Sequence, residues 1–233
     1  MTATVNGSAL LAGRALRKSF ARTEALRGVG LGAAPGEVVA VTGPSGSGKS
    51  TLLHCLAGIL RPEAGEVVFD GRRVDTLDET ARSLLRRREF GIVLQFGQLL
   101  PELTAVQNVA LPLLLDGHDR RACEQAARGW LERLGVLGGA EATPGELSGG
   151  EQQRVAVARA LVTGPKVVFA DEPTGALDTV AGEEVLAELL GAVRDTDAAL
   201  VMVTHDNRVA ARADREIILQ DGRLAAAQAP VGA

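Results

Sequence analysis

Val38-Val39-Ala40-Val41-Thr42, then Gly43-Pro44-Ser45-Gly46-Ser47-Gly48, then Lys49-Ser50-Thr51-Leu52-Leu53 decides the fold. The first five residues are rich in β-branched side chains and carry no charge, the pattern of a short buried strand. A glycine-rich turn follows. From Lys49 to Ala57, Leu52, Leu53 and Leu56 fall on one face, which reads as a helix, and Gly58 stands where a helix would end. Gly43 to Ser50 also satisfies G-x-x-x-x-G-K-[ST] between a strand and a helix. Glycines let backbone N–H groups wrap around phosphates, and the start of a helix adds a favourable positive pole. In such a cradle Lys49 reaches the β- and γ-phosphates and the Ser50 hydroxyl ligates Mg²⁺. Gly43, Pro44, Ser45, Gly46, Ser47, Gly48, Lys49, Ser50 and the adjoining Thr51 are therefore the expected nucleotide-binding residues. A glycine-rich turn that binds nothing is the competing reading, and the strand-loop-helix context weighs against it. The turn alone does not separate kinases, GTPases and transport ATPases.

Outward from this centre, Val167 to Ala170 and Leu200 to Thr204 repeat the buried-strand pattern. Between them, Glu183 to Val193 spaces Val185, Leu186, Leu189, Leu190 and Val193 as a helix does. Strand, helix, strand in this order predicts α/β architecture with a parallel sheet and crossover helices. Residues 9–36 and Glu66 to Phe69 carry shorter strand signals suited to a separate antiparallel layer. Residues 98–162 lack strong strands and read as a helical insertion. Glu216 to Leu224, turning at Asp221-Gly222, reads as a small hairpin. The expectation is one domain over residues 1–225, with a core and β layer at about 1–97 and 163–225, a helical subdomain at about 98–162, and a flexible tail at 226–233.

Bulk properties narrow the function. The 233 residues are 46% hydrophobic and 23% charged, ordinary for a globular domain with a sizeable core. A net charge of -4 argues against nonspecific nucleic-acid binding, which needs a basic surface. Cys55 and Cys123 form no CxxC pair, so neither a disulfide framework nor a zinc site is expected. The apolar patch Ala9 to Ala12 is too short for a signal-peptide core. Val109 to Leu115 contains Pro112 and falls far below the ~20 residues that span a bilayer. If the chain works at a membrane, it is expected to sit on the surface or on a partner.

Leu147-Ser148-Gly149-Gly150-Glu151-Gln152-Gln153-Arg154 separates the classes. With these residues the chain resembles the ABC ATPase family, whose signature motif is LSGGQ-like. Within that family it is similar to the subfamily that drives macrolide exporters, lipoprotein release and division-linked permeases. The resemblance runs from about Leu11 to Leu224. It implies a P-loop NTPase core of RecA-like build. Ser148, Gly149 and Gly150 open a helix continued by Val155, Ala158 and Val162, so a serine hydroxyl and exposed N–H groups make a second anion site. The spacing permits a head-to-tail dimer; the resemblance implies one, formed with ATP, in which the signature of each copy closes on the ATP held by the other.

Lys166 to Glu172 is a buried strand ending in two carboxylates, and neighbouring strand residues point to opposite sides, so the acids can take different jobs. The resemblance gives Asp171 to the Mg²⁺ shell and Glu172 to polarising the attacking water. It matches Ala176-Leu177-Asp178 to a segment that crosses the dimer interface; Asp178 before Thr179 also suits a helix cap. It gives His205 a contact with the γ-phosphate, while His54 and His118 read as structural. Gln95, after Gly91 to Leu94, corresponds to a glutamine that senses Mg²⁺ and water and links to the helical insertion. Thr104 and Gln107 form a T-x-x-Q capping box at the helix that follows. Phe20 stands where the family stacks an aromatic ring on adenine, usually a tyrosine, which this chain lacks altogether; a core phenylalanine is the alternative. Thr143-Pro144-Gly145-Glu146 departs from the family pattern before the signature, in a region that meets the permease in some members. Arg86-Arg87-Arg88 reads as a solvated helix face, with contact to anionic lipid as the alternative.

These readings together predict an ATP-hydrolysing subunit that energises a separately encoded membrane permease, for export or extraction of a substrate. It would bind ATP and Mg²⁺, pair with a second copy, bind no nucleic acid, and sit on the cytoplasmic face of the membrane through the permease. A regulatory ATPase that signals through a permease-like partner without moving cargo is the alternative.

Overall fold

The computed structural model describes residues 9–95 and 97–225. Strands β1 (Leu11–Phe20), β2 (Thr23–Ala33) and β3 (Val38–Thr42) lead into helix α1 (Lys49–Leu56). Next come β4 (Ala64–Phe69), β5 (Arg72–Arg73), α2 (Glu79–Glu89) and β6 (Phe90–Val93). Helices α3 (Ala105–Leu115), α4 (Arg120–Arg133) and α5 (Gly149–Leu161) fill the middle. The chain continues through β7 (Val167–Asp171), α6 (Thr179–Asp195), β8 (Ala199–Val203), α7 (Asn207–Ala210), β9 (Arg215–Gln220) and β10 (Arg223–Leu224). Two compact units divide it: one uses the described residues up to Arg86 and from Asp197 onward, the other Arg87–Thr196. The expected tail at 226–233 lies outside the described residues.

In the first unit β3 pairs in parallel with both β8 and β9, and β10 turns back antiparallel to β9. Every residue of β3 and β8 is buried, as expected for strands covered on both faces, and Val39 lies opposite Val201 on one side and Arg215 on the other. Strand β9 is the predicted hairpin arm and also extends the parallel sheet beside β3. Leu52, Leu53 and Leu56 of α1 are buried. A separate antiparallel sheet has the order β2-β1-β4-β5. Its β1–β2 hairpin pairs Phe20 with Thr23 across a two-residue turn at Ala21-Arg22.

In the second unit β6 and β7 are parallel, setting Phe90 opposite Val167 and Ile92 opposite Phe169. The rings of Phe90 and Phe169 meet edge-on, 5.2 Å between centroids. Helices α3, α4 and α5 pack together, and α5 also packs on β6 and α6. Helix α6 buries Val185, Leu186, Leu189, Leu190 and Val193, the predicted stripe, but it starts at Thr179 rather than Glu183. No helix among the described residues is long and apolar enough to cross a membrane.

Candidate nucleotide-binding site

Strand β3 ends at Thr42, whose hydroxyl donates to Glu216 Oε1 at 2.6 Å and ties the strand end to β9. The chain then turns through Gly43, Gly46 and Gly48 with φ of 137°, 76° and 102°. Two of these glycines are required by contact as well as by φ. A Cβ on Gly43 would lie 2.0 Å from the Leu219 carbonyl oxygen, and one on Gly48 would lie 2.3 Å from that of Ala25. The loop is braced from outside too, since Gly222 N donates to Ser47 O at 3.1 Å.

Helix α1 begins at Gly48 with no side-chain cap. Every other α-helix among the described residues has one. Asp78 accepts from Ala81 N, Thr104 from Gln107 N, Asp119 from Ala122 N, Ser148 from Glu151 N, Asp178 from Ala181 N and Asp206 from Arg208 N. The positive pole of α1 is thus left to a ligand, an arrangement suited to an anion. Lys49 is only 8% exposed and folds back over the loop, donating from Nζ to Gly43 O (2.8 Å) and Pro44 O (2.9 Å). Ser47 Oγ is buried without a hydrogen-bond partner among the described residues, as a polar atom awaiting a ligand would be. Ser45, Gly46 and Ser50 are exposed and Thr51 is half-buried.

In the same unit Phe20 is 48% exposed at the tip of β1, with Lys18 Nζ 5.7 Å from its ring centroid. It is not a core phenylalanine. His205 follows β8 and is exposed, next to buried Thr204, whose hydroxyl oxygen accepts from Asp206 N at 3.1 Å.

The second unit gathers the remaining predicted residues. Asp171 and Glu172 leave β7 half-buried. Glu172 has φ 48°, a left-handed conformation that a non-glycine residue adopts at a cost of about 1–2 kcal/mol. The turn closes through Gly175 N to Glu172 O (3.0 Å) and Leu177 N to Thr174 O (3.1 Å). A Cβ on Gly175 would stand 3.3 Å from both Gln95 Nε2 and Glu172 Cβ, so the Gln95 amide and Glu172 flank one glycine. Asp178 caps α6, fulfilling the cap reading.

Ser148 caps α5 through a complete capping box. Its N–H (2.8 Å) and its hydroxyl (2.7 Å) both donate to Glu151 Oε2, while Glu151 N donates back to Ser148 Oγ at 3.3 Å. The Ser148 hydroxyl, then the Ser148 N–H, hold the Glu151 carboxyl below its ordinary range. A Cβ on Gly149 would be 3.5 Å from Leu177 Cδ2, and one on Gly150 3.5 Å from Ala181 Cβ. The start of the signature helix thus rests on the Asp178 turn. Further along, Arg154 binds Glu184 at 2.7 Å and Glu188 at 3.0 Å, joining α5 to α6.

Sequence reasoning missed the residues that hold the segment after Gln95. Arg159 of α5 donates to Gly97 O (2.7 Å) and Gln98 O (3.0 Å), and buried Gln153 reaches Leu94 O at 3.5 Å. Asn108, fully buried, accepts from Leu100 N and donates to the carbonyls of Leu100, Leu103 and Thr104. Polar residues at buried helix positions were the available signal. The solvated reading of Arg86 to Arg88 holds for exposed Arg88 and is corrected for Arg86 and Arg87, which are half-buried. Arg86 donates to Gly58 O and Glu79, whereas Arg87 and Arg88 pair with Asp116.

Comparison with known proteins agrees with this geometry. Residues 26–175 match the ABC transporter family. The lipoprotein-releasing system ATP-binding protein LolD 2 of Rhodopirellula baltica is 43% identical over 225 residues, covering 92% of this chain and 88% of that protein. The LolD protein of Koribacter versatilis is 51% identical over 187 residues, 80% of this chain and 84% of the relative. Among solved structures, the ATP-binding cassette MJ0796, seen as a dimer in a post-hydrolysis state bound to ADP and Pi, superposes with a TM-score of 0.89 at 35% identity. It covers 95% of this chain and 99% of its own. Fold, phosphate cradle, signature and relatives converge: the chain belongs to the ABC transporter family, as an ATP-binding and ATP-hydrolysing subunit.

Proposed function

We propose that the chain works as an ATP-dependent, head-to-tail pair of copies that drives a membrane permease to extract a lipoprotein. The observation that carries this is the contrast among helix starts. Helix α1 opens bare beneath Lys49, and the signature serine opens α5 in the other unit. The dimeric cassette MJ0796 supports the pairing, and the name shared by the lipoprotein-releasing relatives supports the cargo.

In this reading Gly43 to Thr51 cradle the phosphates, and Lys49 exchanges its two carbonyl partners for the β- and γ-phosphates. Phe20 offers its exposed ring to adenine. Ser50, Gln95 and Asp171 would hold Mg²⁺; a hydroxyl, an amide and a carboxylate form an all-oxygen donor set, which suits that ion. Bound there, the ion would neutralise charge on the phosphates. Glu172 accepts a proton from the attacking water, Gln95 orients that water, and His205 contacts the γ-phosphate. Ser148, Gly149, Gly150 and Asp178 of one copy meet the ATP held by the other. Residues 98–162 meet the permease, and the exposed Leu100, Leu114 and Leu115 supply apolar surface for that contact. Attachment through the permease places the subunit on the cytoplasmic face of the membrane.

The deciding experiment is Glu172→Gln. The variant is expected to bind ATP, lose turnover and run as a dimer on a sizing column with ATP. A variant that stays monomeric and keeps hydrolysing refutes both the role of Glu172 and the shared pocket. Release of a lipid-modified protein from vesicles holding the permease tests the cargo.

A further inference from the structure

The start of α5 already holds an anion, and that anion is the chain's own. A serine hydroxyl has one proton to donate, and an ionised carboxylate can only accept. The 2.7 Å contact from Ser148 Oγ to Glu151 Oε2 therefore commits that proton to Glu151. The Ser148 N–H is directed to the same oxygen, and the serine oxygen takes Glu151 N as its own donor. The Ser148 hydroxyl, then the Ser148 N–H, pull the Glu151 carboxyl below its ordinary range, with a smaller contribution from the charge of Arg154. The Arg154 guanidinium itself is occupied by Glu184 and Glu188. The signature serine thus has no free proton for a phosphate, and a formal negative charge sits at the helix pole that would otherwise attract one.

We infer that Glu151 acts as a resident anion competing with the terminal phosphate of ATP for the start of α5, and so raises the ATP level at which two copies join. This rests on the proposed function, in which Ser148 of one copy meets the ATP held by the other. When the copies close, the Ser148 hydroxyl turns from Glu151 to a phosphate oxygen. The Glu151 carboxylate withdraws, leaving its backbone N–H in place. No covalent bond changes. Glu151 is a positioning residue that gates Ser148.

The perturbation that isolates the charge is Glu151→Gln. Glutamine also completes a capping box, because its side-chain oxygen accepts from Ser148 N, but it carries no charge. Dimerisation is measured by sedimentation against ATP concentration in the Glu172→Gln background, with and without Glu151→Gln. Removing a like charge a few ångströms from the bound triphosphate is expected to lower the ATP needed for half-dimerisation about three- to tenfold. The gain should shrink in about 0.5 M salt, where screening is strong. A capping role alone predicts no such gain and no salt dependence. An unchanged or higher ATP requirement overturns the inference, as does a gain indifferent to salt. If Glu172→Gln alone stays monomeric in ATP, the proposed function itself falls. A pair that forms normally and ignores Glu151→Gln sinks only the resident anion.

Discussion

Arg154→Met tests whether the signature helix is held to α6 by charge. Methionine keeps much of the aliphatic stem while removing the guanidinium, so packing is largely preserved. The Arg154 side chain is 18% exposed, and its partners Glu184 and Glu188 are 57% and 29% exposed. An exposed pair such as that with Glu184 contributes about 0.2–1 kcal/mol. The Glu188 arm, with Nε 3.0 and 3.2 Å from the two carboxylate oxygens, is sheltered. A charge-assisted bond of this kind contributes about 1.5–3 kcal/mol when buried, and the remaining exposure of Glu188 reduces it to about 1. The expected loss is about 1–2 kcal/mol of unfolding free energy near neutral pH.

The loss depends on pH in a direction the structure sets. Burial raises the Glu188 pKa above its ordinary 4.5, while the charge of Arg154 and its hydrogen bond pull it down. Without Arg154 the folded-state value rises further. A carboxyl whose folded pKa exceeds its unfolded one binds more protons when folded, so stability falls as pH rises from 4.5 through the folded value. Urea unfolding is therefore expected to show the full deficit at about pH 7.5 and a smaller one at about pH 5. Glu188→Gln added to Arg154→Met should restore roughly half of it at the higher pH, because the sheltered charge is gone. A deficit under about 0.3 kcal/mol, or one identical at both pH values, would refute the reasoning.

Other outcomes follow from single contacts. Gly48→Ala forces a Cβ to within 2.3 Å of the Ala25 carbonyl oxygen and should cost about 1–3 kcal/mol in urea unfolding, with nucleotide binding weakened at least about tenfold. Phe20→Ala should raise the KM for ATP roughly fivefold, about 1 kcal/mol of lost base stacking, and Phe20→Trp should preserve it; equal KM values in all three proteins would remove Phe20 from the site. The Cys55 thiol is 1% exposed and pushed up to about 11 by burial, so a maleimide at neutral pH should label it only once urea unfolds the chain.

What the sequence made legible follows from how local the cause is. The strand, loop and helix from Val38 to Leu56 combine a β-branched run, glycines with forced φ and a helical leucine stripe, all within a short stretch. Helix α2 was legible only as the helix face carrying Arg86 to Arg88, and its extent was not, because it has no apolar stripe. Only Arg82 is buried, and Glu79 holds Arg82 and Arg86 along its length. The place of β9 beside β3 is a tertiary pairing that no local pattern encodes. The early start of α6 was hidden because its first turn is exposed at Val180, so the apolar rhythm begins only at Val185. Ser148-Gly149-Gly150-Glu151 is instructive in another way. Its S-x-x-E spacing encodes a capping box, so the serine that suits a phosphate also has a carboxylate partner three residues on.

The helix caps together imply an order of events. A side-chain oxygen at a helix start satisfies orphan N–H groups and offsets the positive pole, so a capped start offers less to an external anion than a bare one. Helix α1 is bare, and Lys49 lies over the loop with only neutral carbonyls to give up. Helix α5 is capped by a serine whose proton is held by a carboxylate. ATP should therefore fill the P-loop of a single copy first and draw on the signature only as a second copy closes. Ser148→Ala is then expected to leave ATP binding by the monomer unchanged while abolishing ATP-dependent pairing. Weaker ATP binding by the Ser148→Ala monomer would mean that the signature contributes before closure, and the order inferred from the caps would be wrong.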